Sequence, residues 1–545
     1  MRHTPAISIL AIHFLIFFVT NQFFNPHPDM IDHWVWSKYL SFSYFEHPPM
    51  IAWLFRVITF IGGDSEMTLE IGSQIITLLI LSLIYYGTYK LYGQKSSLIT
   101  LIILCSMPYF TLGSIFLHIT QPFLFFWFLA LFILLLFHKY YNYKYLILLG
   151  IVAGLGALSK YIMLLFYMGI FTHILVFPRI RKEIFNPWLY VAGMLSIIIF
   201  IPVLLWNYQH DWISFRWQLD KGTTGGEFGE NFLGFTIGHI LLFSPLWFVT
   251  SVLGTWWVRD RLIKPKSNET IIFVISILPL IFFTIMSLKG NISDPHWVNI
   301  TYAGIAIFLG NEIFLRLEKS RLIFLMGGAI LMNFVMVGFI VIQALYPIVE
   351  WMPYETKNID YLRKKGIEES IIVKLSKNSS RFYDYDEFHN NLKNFLTPSD
   401  YTKYSKIISK VSMDASANRL NRIIAWDTTG KDLKNLLEKK GYPKISFIVS
   451  REYQLSSALS YFLKYSNWPH SIEKKERNLW SPLKEVKKGP SIFVCELFEC
   501  QGDLVAYYKR FNLPLKYLGE VEIFRKNRMI RNLQIYYINP NNKNI

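Results

Sequence analysis

Charged residues are scarce in this 545-residue chain. They make up 17% of it, where a soluble globular protein carries about 25%. That is too little polar surface for a single large soluble enzyme of this length. Acidic residues are the scarcer sign, with 38 Asp and Glu against 55 Lys and Arg and a formal net charge of +17. Such a balance could serve a nucleic-acid binder. Membrane proteins, however, carry an excess of Lys and Arg toward the cytoplasm and anionic lipid. The composition favours membrane lipids as partner and no nucleic acid. Cysteine is nearly absent. Three residues exclude a disulfide scaffold or a cysteine-rich zinc module. Cys105 lies in an apolar run, while Cys495 and Cys500 are close enough in sequence to leave a disulfide open. No solenoid or heptad repeat is present. What the chain does have is apolar residues, 52% of the total, with 17% aromatic and a mean hydropathy of +0.30. Disorder over most of the length is therefore excluded.

A bilayer core about 30 Å thick takes about 20 apolar residues as a helix. Candidate spans fall near 6–24, 68–89, 96–117, 121–138, 145–159, 161–177, 187–206, 236–258, 270–288, 298–315 and 322–346. About eleven helices are expected, the fifth and sixth nearly continuous. The first span has Arg2 in front but Asn21-Gln22-Phe23-Phe24 where a cleavage site needs small residues, so it reads as a retained helix. With the N-terminus inside, the cytoplasmic segments hold fifteen Lys and Arg near the spans, among them Lys90, Lys139, Arg179, Arg259, Arg316 and Arg321. The outer segments hold six: Lys38, Arg56, Lys160, Arg216, Lys221 and Lys289. This is the asymmetry of the positive-inside rule. An odd number of spans puts the tail outside.

Composition changes near residue 350. The reading is a transmembrane domain over 1–348 and an outward-facing soluble domain over 349–545. Residues 355–415 are polar with mixed helical patterning. Beyond them, Ile445–Val449 and Ser491–Val494 read as strands and 452–464 as a helix carrying Leu455, Leu459 and Phe462. A small α/β domain is expected.

The two longest outer loops, 25–67 and 207–235, are rich in polar and aromatic residues, so chemistry is expected there. In the first, Asp29, Asp32 and His33 stand at i, i+3 and i+4, one face of a helix. A carboxylate at the membrane boundary is partly desolvated, which raises its pKa and suits a general base. The competing reading is that interfacial Asp and His only cap helices or face water. Three ligands without a fourth are a thin basis for a metal.

Several segments, taken in order, resemble the polytopic lipid-dependent glycosyltransferases of the GT-C class. That class includes protein O-mannosyltransferases, the lipid A aminoarabinose transferase and the rhizobial lipid A core galacturonosyltransferases. The segments are Pro28-Asp29, Trp34-Val35-Trp36-Ser37, Tyr44-Phe45-Glu46-His47-Pro48-Pro49, Gly154–Tyr161, Pro202–Phe215 and Asp294-Pro295-His296-Trp297. In the tail, Tyr453-Gln454-Leu455-Ser456-Ser457 agrees more weakly. The resemblance implies an α-helical polytopic membrane protein with a C-terminal soluble α/β domain, set in a cell inner membrane. It implies inverting transfer of a sugar from a polyprenyl-phosphate donor to an envelope lipid, glycan or protein acceptor on the outer face. It maps the first-loop acid to Asp29 as catalytic base and implies substrate contacts at Asp32, His33, His47, Lys160, Trp206, Asn207 and His210. It implies no fixed cofactor or metal ligand and leaves a divalent metal open. His47, Lys160 and His210 are candidates to stabilise the leaving phosphate. The alternatives are a snorkelling helix end for Lys160 and an interfacial aromatic belt for Trp206, His210 and Trp212.

Two positions depart from the family pattern. Met30 stands where a second acid usually follows Asp29, and Thr120 stands where an Asp precedes the proline of the second outer loop. These keep alive a degenerate homologue acting as an envelope-assembly subunit. A lipid-linked sugar transporter is the other rival. It would show polar or broken helices at the midplane in repeated halves, and the sequence shows neither.

Overall fold

A computed structural model of the chain describes residues 3–223, 228–229, 231–291, 293–346, 362–379, 392–394, 396–408, 422–463, 468–472, 475–479, 490–496, 500–511, 513–525 and 528–538. The chain divides into two compact units. One comprises residues 1–22 and 36–340, the other 23–35 and 341–545.

The first unit is helical and membrane-spanning. Among the described residues, seven helices are long and apolar enough to cross a bilayer: Thr4–Asn21, Glu66–Tyr92, Thr120–Tyr140, Pro187–Gln209, Asn268–Leu288, Pro295–Arg316 and Lys319–Leu345. A further apolar pair, Phe232–Leu242 with Pro245–Trp257, is bent by 94° and forms either a broken span or a re-entrant loop. Ser244 sits at the bend with φ +74 and Pro245 follows it. The expected count of eleven is not reproduced. The segments 145–159 and 161–177 form shorter apolar helices, Lys144–Ala157 and Tyr161–Val176. The segment 96–117 is broken after Gln94–Cys105, where Met107 is extended and Pro108 starts a new helix. Proline cannot continue the hydrogen-bond ladder of the preceding turn.

The core of this unit is aromatic, with Phe123, Trp127, Phe166, Trp247 and Phe308 fully buried. Small residues let helices approach closely, as in other membrane bundles. A Cβ on Gly150 would meet the Ala192 carbonyl oxygen at 2.4 Å, and Ser196 Oγ donates to the Gly150 carbonyl at 2.6 Å. This contact joins Lys144–Ala157 to Pro187–Gln209, and each of these helices leads into a loop of the candidate site.

The second unit is built on a five-stranded sheet: β1 (Phe447–Ser450), β2 (Trp468–Ser471), β3 (Ser491–Glu496), β4 (Leu515–Arg525) and β5 (Arg528–Ile538). The strand order is β2-β1-β3-β5-β4. β1 runs parallel to β2 and β3, while β5 runs antiparallel to β3 and β4. β1 is buried along its length, as a parallel strand covered on both faces should be. The helix Tyr453–Phe462 follows β1 directly and makes the crossover to β2. A second helix, Trp426–Lys439, lies against its end. Gly430 permits this, since a Cβ there would meet the Phe462 carbonyl oxygen at 2.7 Å. Cys495 and Cys500 form a disulfide. The polar stretch 355–415 lies in part outside the described residues. Within it, Glu369–Ser379 and Pro398–Ile408 are helices whose apolar faces share a small core around Leu375 and Tyr404.

Candidate functional site

The first-loop acids lie on the helix Pro28–Lys38, with Pro28 and Asp29 in its first turn. The division between the units falls within this helix, after Val35. Asp29 is half-buried. Its Oδ1 accepts two hydrogen bonds, from the Tyr453 hydroxyl at 2.9 Å and from Gln454 Nε2 at 2.6 Å. Both donors belong to the first turn of Tyr453–Phe462, whose positive dipole end favours an anion. Oδ2 stands 3.6 Å from His27 Nδ1. That nitrogen lies 3.1 Å from the Asp29 backbone N–H and accepts from it. A ring nitrogen that accepts has no proton to give, so His27 does not occupy Oδ2.

Burial alone would raise the Asp29 pKa, as the sequence suggested. The structure reverses the outcome. His27 and His33 nearby, with the hydrogen bonds from Gln454 and Tyr453, hold the carboxyl below its ordinary value. Burial lowers both imidazoles in turn, His33 to about 4, so both are neutral at pH 7. At neutral pH the two side-chain donors are what keep the buried anion satisfied.

Asp32 and His33 were expected to touch substrate, but both are buried. Asp32 Oδ1 accepts from Ser457 Oγ at 2.8 Å. They read as supports of the helix rather than as open ligands. Met30, in place of a second acid, is fully buried.

In the membrane unit, three stretches meet around Tyr161. Ser43 Oγ lies 3.4 Å from the Tyr161 hydroxyl. Met50 N donates to the Leu158 carbonyl at 3.0 Å. Ser214 Oγ donates to the Tyr44 carbonyl at 3.1 Å, and Gln218 Nε2 to the Glu46 carbonyl at 3.0 Å. Thus the loop carrying His47, the turn carrying Lys160 and the loop after Trp206 are tied into one assembly. His47 lies 6.4 Å, ring to ring, from Trp36.

Asn207 is fully buried, and its amide is committed. Nδ2 donates to the Val203 carbonyl at 3.0 Å and Oδ1 accepts from Ser214 N at 3.1 Å. It holds a turn in which Asp211 and Trp212 both have positive φ, 55° and 57°. Neither is glycine, so the turn is strained and depends on its braces. Asn207 therefore reads as a brace, not as a substrate ligand. The rings of Trp206 and His210 stack at 4.0 Å, and His210 Nδ1 donates to the Trp206 carbonyl at 2.7 Å.

Lys160 lies in the turn between two apolar helices, half-buried. Its ammonium lies over the faces of Phe123 and Trp297, 5.9 and 5.7 Å from the ring centroids. Burial pushes it down to about 8. Asp294 acts in the opposite direction, and Lys221 pushes further down. It therefore stays cationic at pH 7. Thr120 opens the helix Thr120–Tyr140, with His118 Nδ1 3.2 Å from its hydroxyl. Among the described residues no group of three or more His, Cys, Asp or Glu side chains is arranged to hold a metal ion.

Sequence reasoning singled out Asp29 but not Tyr453 or Gln454 as its partners, and Lys160 but not Tyr161 and Ser214 as braces of the loops around it. Contacts across some 424 positions leave no periodic signal. The only hint was that both the Asp29 and the Tyr453-Gln454 segments share a family resemblance.

Residues 46–206 match the family described as dolichyl-phosphate-mannose-protein mannosyltransferase. The match includes His47, Lys160 and Trp206 and begins after Asp29. The chain is 24% identical over 257 residues to the lipid A galacturonosyltransferase RgtD of Rhizobium johnstonii, covering 45% of this chain and 54% of that protein. It is 26% identical over 290 residues to an undecaprenyl phosphate-alpha-4-amino-4-deoxy-L-arabinose arabinosyl transferase of Yersinia pestis, covering 48% of each. The chain thus spans about half the length of the curated relatives it matches. Its fold is shared with ArnT from Cupriavidus metallidurans, solved with undecaprenyl phosphate bound, at a TM-score of 0.61 and 13% identity over 98% of both chains. The chain resembles the GT-C glycosyltransferases in sequence and has the fold of one of them.

Proposed function

We propose that this multi-pass membrane protein is a glycosyltransferase. It moves a sugar from a polyprenyl-phosphate donor to an envelope acceptor on the outer face of an inner membrane, with inversion at the anomeric carbon. The observation that carries the reading is the half-buried Asp29 carboxylate, held through Oδ1 by Tyr453 and Gln454 with Oδ2 turned away from them.

The acceptor oxygen attacks the anomeric carbon as the phosphate leaves. Glycosyl transfer passes through a sugar with oxocarbenium character. The acceptor's proton becomes acidic only as its oxygen bonds to that carbon, so a carboxylate of depressed pKa suffices to take it late. Asp29 Oδ2 takes or orients that proton, and its charge favours the cationic sugar. The leaving phosphate needs no proton but does need positive charge. Lys160, cationic at pH 7, supplies it, and His47 offers an N–H donor, with Trp206 and His210 beside the donor lipid. A lipid acceptor is supported by the lipid A galacturonosyltransferase among the relatives, and an undecaprenyl carrier by the lipid in the ArnT structure.

The N-terminus lies inside and the tail outside. The Lys and Arg asymmetry supports this. So does the Cys495–Cys500 disulfide, a bond that persists in oxidising compartments. The test is mass analysis of envelope lipids and glycans from cells with and without the chain. Loss of one sugar mass from one acceptor is expected on deletion, and identical envelopes would refute the reading.

A further inference from the structure

We infer that Tyr453 and Gln454 of the C-terminal unit are positioning residues for Asp29, so that the soluble domain sets the aim of the reactive carboxylate. This rests on the reading of Asp29 given under the proposed function.

The contact is a register, not a single touch. Tyr453, Ser457 and Tyr461 are one turn apart on one face of Tyr453–Phe462. Each meets the segment 23–35 at a successive point. Tyr453, with Gln454 beside it, bonds Asp29. Ser457 bonds Asp32 at 2.8 Å, and the Tyr461 ring packs edge-on against Trp34 at 4.8 Å. A fourth tie anchors the segment's start. Asn25 N donates to the Ile423 carbonyl at 2.8 Å, and Trp426 N donates to Asn25 Oδ1 at 2.9 Å.

Chemistry distinguishes Tyr453 and Gln454 within this register. Both donate to the same oxygen, Oδ1, which fixes the carboxylate plane and turns Oδ2 away from them. Tyr453 is itself held, because the Arg477 guanidinium stacks on its ring at 3.8 Å from the centroid. The cation over the ring draws electron density from the phenol and makes its O–H a stronger donor. The helix is set by the fold. It starts at the carboxyl end of parallel strand β1, where α/β sheets place ligand-binding loops. Among the described residues, the other ionisable groups acting on Asp29 are His27 and His33 on its own segment, with Arg422 beside His27.

The test is a double-mutant cycle in the full-length chain in membranes, read as sugar mass added to the envelope acceptor across pH 4–8. Tyr453→Phe, which removes one oxygen atom, and Gln454→Leu should each lower transfer about tenfold. Each should also move the acid limb of the profile up by about one pH unit, because a donor to the anion is gone. In an Asp29→Asn background the same two substitutions should change transfer less than twofold, since they act through Asp29. Losses equally large in that background would make the two residues merely structural and overturn the inference. So would an unmoved acid limb with full transfer in both single variants, provided Asp29→Asn still lowers transfer by roughly 10²-fold. Full transfer by Asp29→Asn would instead remove the reading of Asp29 on which the inference stands.

Discussion

Lys160 offers the sharpest quantitative test of the donor end. Its ammonium is cationic at pH 7 but not by a wide margin, because burial against Phe123 and Trp297 lowers it to about 8. About ten molecules in eleven carry the charge at pH 7 and about one in eleven at pH 9. A hydrogen bond to a charged partner contributes about 1.5–3 kcal/mol, and the half-buried setting places Lys160 at the lower end. Losing the charge should weaken donor-lipid binding about tenfold. The assay is binding of undecaprenyl phosphate to the purified full-length chain in lipid nanodiscs from pH 7 to pH 9. The second ionisation of a phosphate monoester, near 6, is already about nine-tenths complete at pH 7, so the ligand gains only a small further charge, which would strengthen rather than weaken binding. Wild type should lose about tenfold in affinity between the two ends. Lys160→Gln should start about tenfold weaker and stay flat. Wild-type affinity that is flat from pH 7 to 9, with Lys160→Gln binding equally well, would show that the residue only snorkels.

Other outcomes are expected from the same reasoning. Single cysteines at Lys221 and Lys440, in a background lacking the native three, should react with a membrane-impermeant thiol reagent in intact cells. Those at Lys95 and Lys264 should not, and labelling at Lys264 but not Lys440 would reverse the topology. Serine at both Cys495 and Cys500 should leave transfer intact while costing the C-terminal unit about 2 kcal/mol of stability, as expected for closing a loop this short. A folded, inserted double variant that transfers nothing would contradict this. Buried Asp503 is raised to about 7 by burial, with Arg451 at 3.6 Å opposing. A raised folded-state pKa gives stability that is present below about 4 and lost as pH rises through 7. Thermal unfolding of the full chain should therefore show the C-terminal unit less stable at pH 8 than at pH 5, and Asp503→Asn should flatten that slope. An equal slope in the variant would assign the pH dependence elsewhere.

The membrane helices were legible because a span must be long and apolar whatever it packs against. Thr4–Asn21, Glu66–Tyr92 and Lys319–Leu345 could be read from hydropathy alone. Breaks inside apolar runs were not. The breaks at Met107 and Ser244 each precede a proline, Pro108 and Pro245, but Pro202 and Pro279 sit inside unbroken helices, so proline alone does not mark a break. β1 and β3 were visible as short apolar runs, and the helix between β1 and β2 by its spacing of Leu455, Leu459 and Phe462. Asp29 could be picked out from its loop and from the family pattern. Its ionisation could not, because local sequence shows the desolvation but not the two donors that come from Tyr453 and Gln454. Likewise Asn207 looked like a ligand within a polar-aromatic motif. Only the fold shows its amide spent on Val203 and Ser214, bracing a turn with two residues at positive φ.

The account stands most directly on the charge of Asp29. Asp29→Asn keeps the side chain's size and removes that charge. General-base catalysis contributes roughly 10²–10⁴-fold, and a base whose pKa lies far below the working pH falls toward the lower end. Transfer by the full-length variant, inserted and folded as wild type and binding undecaprenyl phosphate equally well, should fall by roughly 10²-fold. Near-normal turnover in that variant, measured alongside an active wild type, would contradict the account.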